Sequence, residues 1–224
     1  MQLWLDTANV EEVRAASRFG VISGITTNPS LWAKGGAGRD YRDVVLEICS
    51  LIDGPISAEC LAQDLQGLLE EARRIAAWHP NVVVKIPIDE TGLEAIYRLS
   101  REGIKINTTL IFSPNQAMLA AQAGAAYVSP FVGRLDDVGH DGMAVVRDSV
   151  EIFDRYHFPT RVLAASLRHP PHIIEAARAG AHIATMPYAI FQAMFKHPLT
   201  DVGIQRFLED GRKAGADVSR AAER

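Results

Sequence analysis

Residues 82–88 read VVVKIPI, and residues 105–111, one helix-length interval later, read KINTTLI. Both runs are rich in β-branched residues and almost apolar along their length, which is typical of parallel strands covered on both faces. Between them, Thr91 and Glu94 have the spacing of a capping box and predict the start of a helix. This part of the chain therefore predicts a strand–helix–strand unit of a parallel sheet.

The same alternation of strand and helix patterns extends over the whole chain. Ser113, Pro114 and Gln116 predict a second capped helix, and Asn9 predicts another. Eight segments have the composition of strands: LWLD from Leu3, GITT from Gly24, ISAE from Ile56, VVVKI from Val82, KINTTLI from Lys105, YVSPFV from Tyr127, RVLAAS from Arg161 and HIATM from His182.

Eight units in 224 residues average about 28 residues each, which suffices for a (β/α)8 barrel, a fold that typically has about 250 residues. A doubly wound sheet is the competing architecture, but no Gly-rich phosphate loop follows the first strand. We therefore predict an α/β fold with one TIM barrel domain over residues 1–212, including a C-terminal helix, and a polar tail over residues 213–224.

Composition excludes several classes of protein. With 48% hydrophobic and 22% charged residues the chain contains enough apolar material for a core, so it is not disordered or fibrous. The net charge of −4 argues against a nucleic-acid partner, although a local basic site for a small anion stays open. Residues 106–133 carry almost no charge, yet their prolines and amides fit a buried core better than a membrane segment.

Cysteine and histidine give little sign of metal or disulfide chemistry. Cys49 and Cys60 are the only cysteines, and no secretory leader is apparent, so we expect a cytoplasmic protein. The seven histidines show no metal-binding spacing, and no P-loop, nucleophile elbow or dinucleotide loop occurs. We therefore expect neither a metal nor an organic cofactor.

Lys85 is the most informative residue, because it stands alone among aliphatic residues in VVVKIPI. Burying an ammonium group is costly, and its usual response is to lose the proton, which leaves a nucleophilic amine. Such a lysine predicts a Schiff base with a carbonyl substrate. The alternatives are a lysine that reaches solvent from an edge or one that pairs with a carboxylate.

Two carboxylates close apolar strands, Asp6 in LWLD and Glu59 in ISAE. The carboxyl ends of barrel strands share one face, and Schiff-base chemistry needs proton transfers. Asp6 and Glu59 are therefore candidate catalytic partners of Lys85. Each has a simpler alternative role as the cap of the following helix.

Two arginines, Arg134 and Arg168, also follow strands and are suited to binding a phosphate, with Ser166 adding a hydroxyl. An ion pair of Arg134 with Asp136 or Asp137 is the alternative. Four further polar residues are candidates for binding a polyhydroxy substrate, with turns and caps as their alternative roles: Asn28, Asn107, Thr109 and Ser129.

Taken together, these motifs resemble the short-chain transaldolases from about Leu3 to Asp210. The motifs occur in chain order and are specific in combination: LDTAN, GITTNPS, ISAE, VVVKIP, NTTLIFSPNQA, YVSPFVGRLDD, LAASLRHP and HPLTDVGIQRFLED. The chain departs from many relatives at Gly211, where they carry a tryptophan, and this puts oligomer contacts rather than catalysis in question.

The resemblance implies a TIM barrel with the Schiff base on Lys85, and no cofactor. It implies that Asp6 and Glu59 act with a water in proton transfer. Asn28, Asn107, Thr109 and Ser129 would then contact the dihydroxyacetone unit or hold that water, while Arg134, Ser166 and Arg168 would bind phosphate.

The family reaction belongs to the pentose phosphate pathway. It moves a dihydroxyacetone group from sedoheptulose 7-phosphate or fructose 6-phosphate to glyceraldehyde 3-phosphate or erythrose 4-phosphate. Short-chain members are typically ring-shaped homo-oligomers, often decamers.

Related functions remain as alternatives. Fructose-6-phosphate aldolase shares the barrel and the lysine but releases free dihydroxyacetone, and those relatives carry tyrosine and glutamine where this chain has Phe131 and Glu59. Phe131 is therefore a further candidate substrate-binding residue. A deoxyribose-phosphate-type aldolase and a sugar-phosphate-binding barrel without turnover are more distant alternatives.

Overall fold

The structure, a computed structural model, describes residues 1–35 and 38–214. In these residues strands and helices follow one another in this order: β1 (Gln2–Asp6), α1 (Val10–Ser17), β2 (Ile22–Thr26), α2 (Pro29–Gly35), α3 (Tyr41–Leu51), β3 (Ile56–Glu59), α4 (Leu65–Ala76), β4 (Val82–Pro87), α5 (Glu90–Arg101), β5 (Ile106–Ile111), α6 (Pro114–Gln122), β6 (Tyr127–Pro130), α7 (Val132–Asp136), α8 (Gly142–Tyr156), β7 (Arg161–Ala164), α9 (Pro170–Arg178), β8 (Ile183–Met186), α10 (Tyr188–Ala193) and α11 (Pro198–Lys213).

The strands form a closed barrel in which each strand pairs in parallel with its neighbours in sequence and β8 pairs with β1. The predicted (β/α)8 barrel is therefore confirmed, and the doubly wound alternative is wrong. The strands lie close to the predicted segments. The largest difference at a strand start is at β2, which begins at Ile22, two residues before the predicted Gly24.

Residues of β1, β4, β6, β7 and β8 are divided between two apolar clusters, because successive side chains of a strand point to opposite faces. One set, including Leu5 and Val84, packs with the helices in the larger apolar cluster. The other set forms a smaller cluster inside the barrel around Trp4 and Tyr127, whose ring centres are 5.5 Å apart. Because both faces are covered, the strands read as apolar runs rather than as alternating ones.

Gly24 makes room for the largest side chain inside the barrel. A Cβ atom at this position would lie 2.5 Å from the Trp4 indole, closer than carbon atoms can approach. The glycine of GITT on β2 and the tryptophan of LWLD on β1 therefore depend on each other.

The helix starts confirm two of the predicted caps and correct the third. Asn9 accepts a hydrogen bond from the Glu11 N–H, and Ser113 caps α6 with Pro114 as the first helical residue. The capping box at Thr91 and Glu94 is wrong, because α5 begins at Glu90 and its cap is Asp89, which accepts from the Gly92 N–H at 2.6 Å.

Asp89 replaces Thr91 as the cap for a simple physical reason. Asp is at least as good an N-cap as Thr, and at Asp89 it extends the helix by one favourable half-turn. Glu94 then lies within the helix and pairs with Arg98, one turn further on.

The chain divides into two compact units, Met1–Phe191 with the barrel and a second unit from Gln192 that contains α11. The predicted tail at 213–224 lies outside the described residues from residue 215 on, so the proposed division at residue 212 stays a prediction. None of the helices in the described ranges combines the length and apolar character that crossing a bilayer requires.

Candidate active site

A cavity of about 260 Å³ opens at the carboxyl ends of the strands, the face where TIM barrels carry their sites. We call it the central cavity. It is lined by Asp6, Thr26, Asn28, Ser30, Leu31, Lys34, Lys85, Ser129, Phe131, Arg134, Ala165, Ser166, Arg168 and Thr185. Eight of the eleven residues predicted from the sequence lie in this lining, and the other three, Glu59, Asn107 and Thr109, lie on β3 and β5 beside β4.

Lys85 lies beside Glu59 at the buried end of the cavity. The register of β3 and β4 places the two residues opposite each other, and Lys85 Nζ is 3.0 Å from Glu59 Oε2. The same nitrogen donates to the Thr27 carbonyl oxygen at 3.2 Å. Lys85 is only 3% exposed, so its ammonium group is separated from bulk water and held by two oxygen atoms.

The two interpretations of Lys85 offered by the sequence are thus combined. Along its own strand the lysine has only apolar neighbours, but β3 supplies a carboxylate from the side. That carboxylate, Glu59, is itself one of the predicted site residues. Glu59 is therefore close enough to accept a proton from the Lys85 ammonium group. Such a proton acceptor is suited to converting the lysine into a nucleophilic amine.

Asp6 lies on the other side of the cavity and does not cap a helix, since Asn9 caps α1. Its Oδ1 accepts a hydrogen bond of 2.7 Å from the Thr26 hydroxyl. Burial raises the pKa of the Asp6 carboxyl, while the nearby Lys85 charge and the Thr26 hydrogen bond oppose this shift. A carboxyl whose pKa is raised in a cavity is a candidate for general acid–base catalysis.

Asn107 connects β5 with β6 and β3 through two side-chain hydrogen bonds. The Ser129 hydroxyl donates to Asn107 Oδ1 at 2.7 Å, and Asn107 Nδ2 donates to Ser57 Oγ at 3.0 Å. Asn107 is paired in register with Lys85 on β4, so this network lies next to the amine.

Thr109, two residues further along β5, is buried and its hydroxyl has no hydrogen-bond partner among the described residues. Leu110, directly after it, has a left-handed φ of 58°, and the pairing with β6 shifts register there. Such bulges often occur beside active sites, where they redirect a side chain. An unpaired buried hydroxyl calls for an explanation, and a substrate or a water is the simplest one.

The two arginines have different surroundings, and the ion pair that the sequence offered as an alternative for Arg134 is found at Arg168. Asp137 pairs with Arg168, with 2.8 Å between Nη2 and Oδ2. The guanidinium carbon of Arg134 instead lies 5.0 Å from the centre of the Phe131 ring, a distance typical of a cation–π contact. Arg134 lies on the short helix α7, which ends at Asp136. Asp136 Oδ2 lies 3.3 Å from His172 Nε2, and Asp137, just after the helix, pairs with Arg168 instead.

Ser166 links the two arginines. Its carbonyl oxygen accepts from the Gly133 N–H at 3.0 Å, and its φ of 58° is unusual for a residue other than glycine. A Cβ atom at Gly133 would lie 2.5 Å from Arg168 Nε, so Arg168 crosses directly over Gly133. Strained backbone and a required glycine at one place indicate a site whose geometry is tightly determined.

Asn28 caps the start of α2 and also lies where a substrate could reach it. Its Oδ1 accepts from the Leu31 N–H at 2.9 Å at the start of α2, and the residue also lines the central cavity. No histidine lines this cavity, and among residues 1–35 and 38–214 no three His, Cys, Asp or Glu side chains cluster as a metal site requires.

Sequence reasoning missed five residues near the reactive end of the cavity. Two of them, Thr26 and Thr185, line the cavity. Each stands two positions after a residue that faces the barrel interior, Gly24 or Ile183, so the two-residue period of a strand predicts that it faces inward as well. Lys34, Ser30 and Tyr41 come from α2 and α3, where no local pattern indicates a direction toward the barrel.

Tyr41 shows how such a residue acts on the site. Its hydroxyl oxygen accepts from the Glu59 N–H at 3.1 Å and lies 2.6 Å from the Thr27 hydroxyl. It thereby ties together Glu59 and Thr27, the two residues that hold the Lys85 amine.

Comparison with known proteins agrees with this geometry. Residues 3–224 match the family model described as Transaldolase/Fructose-6-phosphate aldolase. A probable transaldolase of Heliobacterium modesticaldum is 59% identical over 210 residues, 94% of this chain and 97% of that protein. A probable transaldolase of Thermoanaerobacter sp. is 57% identical over 97% of this chain and 100% of its own length. This chain therefore belongs to the transaldolase/fructose-6-phosphate aldolase family, as the resemblance of its motifs implied.

Proposed function

We propose that this protein is a transaldolase that transfers a dihydroxyacetone group from a ketose phosphate to an aldose phosphate through a Schiff base on Lys85. The observation that carries the proposal is the buried contact of Lys85 with Glu59 in a cavity that Arg134 and Arg168 also line. One end of this cavity offers an amine with proton acceptors, and the other offers two cations for a phosphate. The names of the relatives support the same activity.

The first step is formation of the imine. Transfer of a proton from the Lys85 ammonium group to Glu59, 3.0 Å away, leaves a free amine that attacks the C2 carbonyl of the ketose. The resulting carbinolamine loses its oxygen as water once protons are returned to it, and an iminium ion remains. Thr109 and a water bound by its unpaired hydroxyl are suited to relaying these protons.

The second step breaks the bond between C3 and C4. Asp6 takes the proton of the C4 hydroxyl, the electron pair of the broken bond moves into the iminium, and an aldose phosphate leaves. The enamine that remains on Lys85 attacks the aldehyde carbon of the acceptor, and Asp6 returns its proton to the new hydroxyl. Water then adds to the iminium that this step forms, which releases the product ketose phosphate and restores the Lys85 amine. Burial raises the pKa of the Asp6 carboxyl, which suits a group that must both take a proton and return it.

The remaining predicted residues would bind the rest of the substrate. Asn28 and Ser129 line the cavity next to Lys85 and are suited to the hydroxyls of the dihydroxyacetone unit. Arg134, Arg168 and the Ser166 hydroxyl are suited to the phosphate group. Sedoheptulose 7-phosphate and fructose 6-phosphate are the proposed donors, and glyceraldehyde 3-phosphate and erythrose 4-phosphate are the proposed acceptors.

Covalent trapping tests the Schiff base. Borohydride reduction in the presence of fructose 6-phosphate should attach a reduced dihydroxyacetone unit to the peptide that contains Lys85. Lys85→Met should abolish both the label and turnover, whereas Lys105→Met, a control at an exposed lysine just before β5, should keep both. A label on another lysine, or turnover in Lys85→Met, would contradict the mechanism.

Product analysis separates transfer from aldol cleavage. Fructose 6-phosphate should give product in quantity only when erythrose 4-phosphate is present as acceptor. Release of free dihydroxyacetone at a comparable rate without an acceptor would instead identify a fructose-6-phosphate aldolase.

Three wider properties belong to the same proposal: a place in the pentose phosphate pathway, a cytoplasmic location and a homo-oligomeric state, possibly decameric as in family members. The oligomer is supported by α11, where Ile204, Phe207 and Leu208 are each at least half exposed. Large exposed apolar side chains on one helix are typical of a protein–protein contact. Light scattering in solution measures the mass that tests this.

A further inference from the structure

One buried histidine outside the central cavity contacts both segments that carry the arginines. His172, in the first turn of α9, is 7% exposed. Its Nδ1 accepts a hydrogen bond of 3.2 Å from the Arg168 backbone N–H. Its Nε2 lies 3.3 Å from Oδ2 of Asp136, which is the last residue of α7.

These contacts determine where the proton of the imidazole lies. Since Nδ1 accepts the Arg168 N–H, it must carry its lone pair, and the proton of the neutral ring is then on Nε2, facing the Asp136 carboxylate. Burial lowers the pKa of His172, and the nearby His169 and Arg168 act in the same direction, while Asp136 and Glu175 oppose it. The neutral form that this hydrogen bond requires is therefore the form favoured by the surroundings.

Asp136 is held in turn by the next helix, since its Oδ1 accepts from the Gly142 N–H at 3.0 Å at the start of α8. His172 thus connects the Arg168 backbone, just before α9, with Asp136 at the end of α7. Through Asp136 it is also connected with the start of α8. Arg168 itself is half exposed, and its side chain is held by Asp137 alone among the ion pairs of the described residues.

We propose that His172 is a positioning residue of the phosphate site, which fixes the Arg168 backbone relative to Arg134 through its contacts with the Arg168 N–H and Asp136. The inference rests on the proposed function, because it assumes that these two arginines bind the phosphate of the substrate. It predicts that loss of the Nδ1 acceptor weakens the binding of phosphorylated substrates while the chemistry at Lys85 continues.

The test uses three substitutions that separate the two nitrogen atoms. His172→Asn keeps an acceptor near the position of Nδ1, His172→Gln keeps a polar atom near Nε2 only, and His172→Leu removes both. We expect His172→Leu and His172→Gln to raise KM for fructose 6-phosphate about tenfold, the order expected for the loss of one hydrogen bond that holds the Arg168 backbone, with kcat within twofold. His172→Asn should remain close to the wild type.

His182 offers a matched control at the opposite end of the barrel. Its Nδ1 accepts from the Val162 N–H at 3.1 Å, and burial lowers its pKa as well. His182→Leu should therefore cost similar stability, measured by urea unfolding, but leave both KM and kcat unchanged. At saturating fructose 6-phosphate, turnover with unphosphorylated glyceraldehyde as acceptor should agree within twofold in all of these variants.

Arg168→Ala separates a failure of this inference from a failure of the proposed function. If Arg168→Ala leaves KM for phosphorylated substrates unchanged, the phosphate site is assigned wrongly and the role of His172 falls with it. If Arg168→Ala raises KM but His172→Leu and His172→Gln do not, or if His182→Leu raises it equally, the positioning role alone is overturned. Should His172→Leu not fold, the difference between the Asn and Gln variants decides the question.

Discussion

The two ends of the barrel interior are built from the same parallel strands, but one end holds apolar side chains and the other holds polar and charged ones. At the amino ends of the strands the inward positions hold Trp4, Val83 and Tyr127, which pack in one apolar cluster. Two residues further along the same strands stand Asp6, Lys85 and Ser129, which line the central cavity or its buried end. A shift of one strand period therefore separates the part of the interior that stabilises the fold from the part that is equipped for chemistry.

Both ends contain a buried polar atom without a hydrogen-bond partner in the described part of the chain, Trp4 Nε1 and Thr109 Oγ1. The two differ in their surroundings. Trp4 brings a large apolar ring into an apolar cluster, and that gain outweighs one unpaired N–H. Thr109 brings little apolar surface and lies beside the polar network of Asn107. An unpaired atom thus points to function only where packing does not explain it.

Trp4→Ala should produce the largest effect and should act on stability. The side chain is fully buried, so we expect a loss of about 3–5 kcal/mol in the free energy of unfolding. Urea unfolding followed by circular dichroism measures it. The protein that remains folded should give the same extent of borohydride trapping with fructose 6-phosphate as the wild type in a parallel assay.

Trp4→Phe is the control, since it keeps most of the ring and should lose less. A loss below about 1 kcal/mol in Trp4→Ala would show that the amino end of the barrel is not the stabilising region described here.

The sequence predicts the apolar end of the barrel interior well. A strand covered on both faces favours apolar residues at successive positions, many of them β-branched, and this preference is visible in local runs such as VVVKIP. Helix starts are harder, because several candidate caps occur close together. At α5 the sequence analysis selected Thr91, whereas Asp89, two residues earlier, accepts the hydrogen bond.

Thr109→Val tests the polar end and should change activity rather than stability. The substitution replaces an unpaired hydroxyl by a methyl group of the same shape. The free energy of unfolding should therefore stay equal or rise by up to about 1 kcal/mol. Turnover should fall at least about tenfold if the hydroxyl relays protons through a water.

Thr109→Ser keeps the hydroxyl and should retain most of the turnover. Stability and turnover are measured on the same preparations. Full activity in the valine variant, or a clear loss of stability in it, would mean that this residue belongs with the packing end of the barrel.

The polar end is predictable only in part, because its contacts join residues that are distant in sequence. Lys85 is visible as a lone charge in an apolar strand, but its contact with Glu59 depends on the register of β3 and β4. Tyr41 lies on α3, and its contact with the Glu59 N–H follows from how that helix packs. Likewise, nothing local shows that Asp137 pairs with Arg168 rather than with Arg134, which is closer in sequence.

Phe131 lies where the two regions meet, and its substitution should give the smallest effect. The residue packs against the apolar cluster inside the barrel and also lines the central cavity. In the proposed mechanism, the enamine left on Lys85 after cleavage either meets an acceptor aldehyde or is protonated and hydrolysed to free dihydroxyacetone. A ring without a hydroxyl keeps this wall apolar, whereas a tyrosine hydroxyl would hold and orient a water for hydrolysis.

Phe131→Tyr should therefore raise the ratio of release to transfer by a few fold, about 1 kcal/mol or less in the relative barriers. Free dihydroxyacetone and transfer product are measured on one preparation with fructose 6-phosphate and erythrose 4-phosphate. Phe112→Tyr is the matched control, because the Phe112 ring lies 5.8 Å from that of Phe131 but does not line the cavity. If tyrosine at 131 lowers both activities in parallel, or if both variants change the ratio equally, Phe131 acts as packing, and the boundary between the two regions lies beyond it.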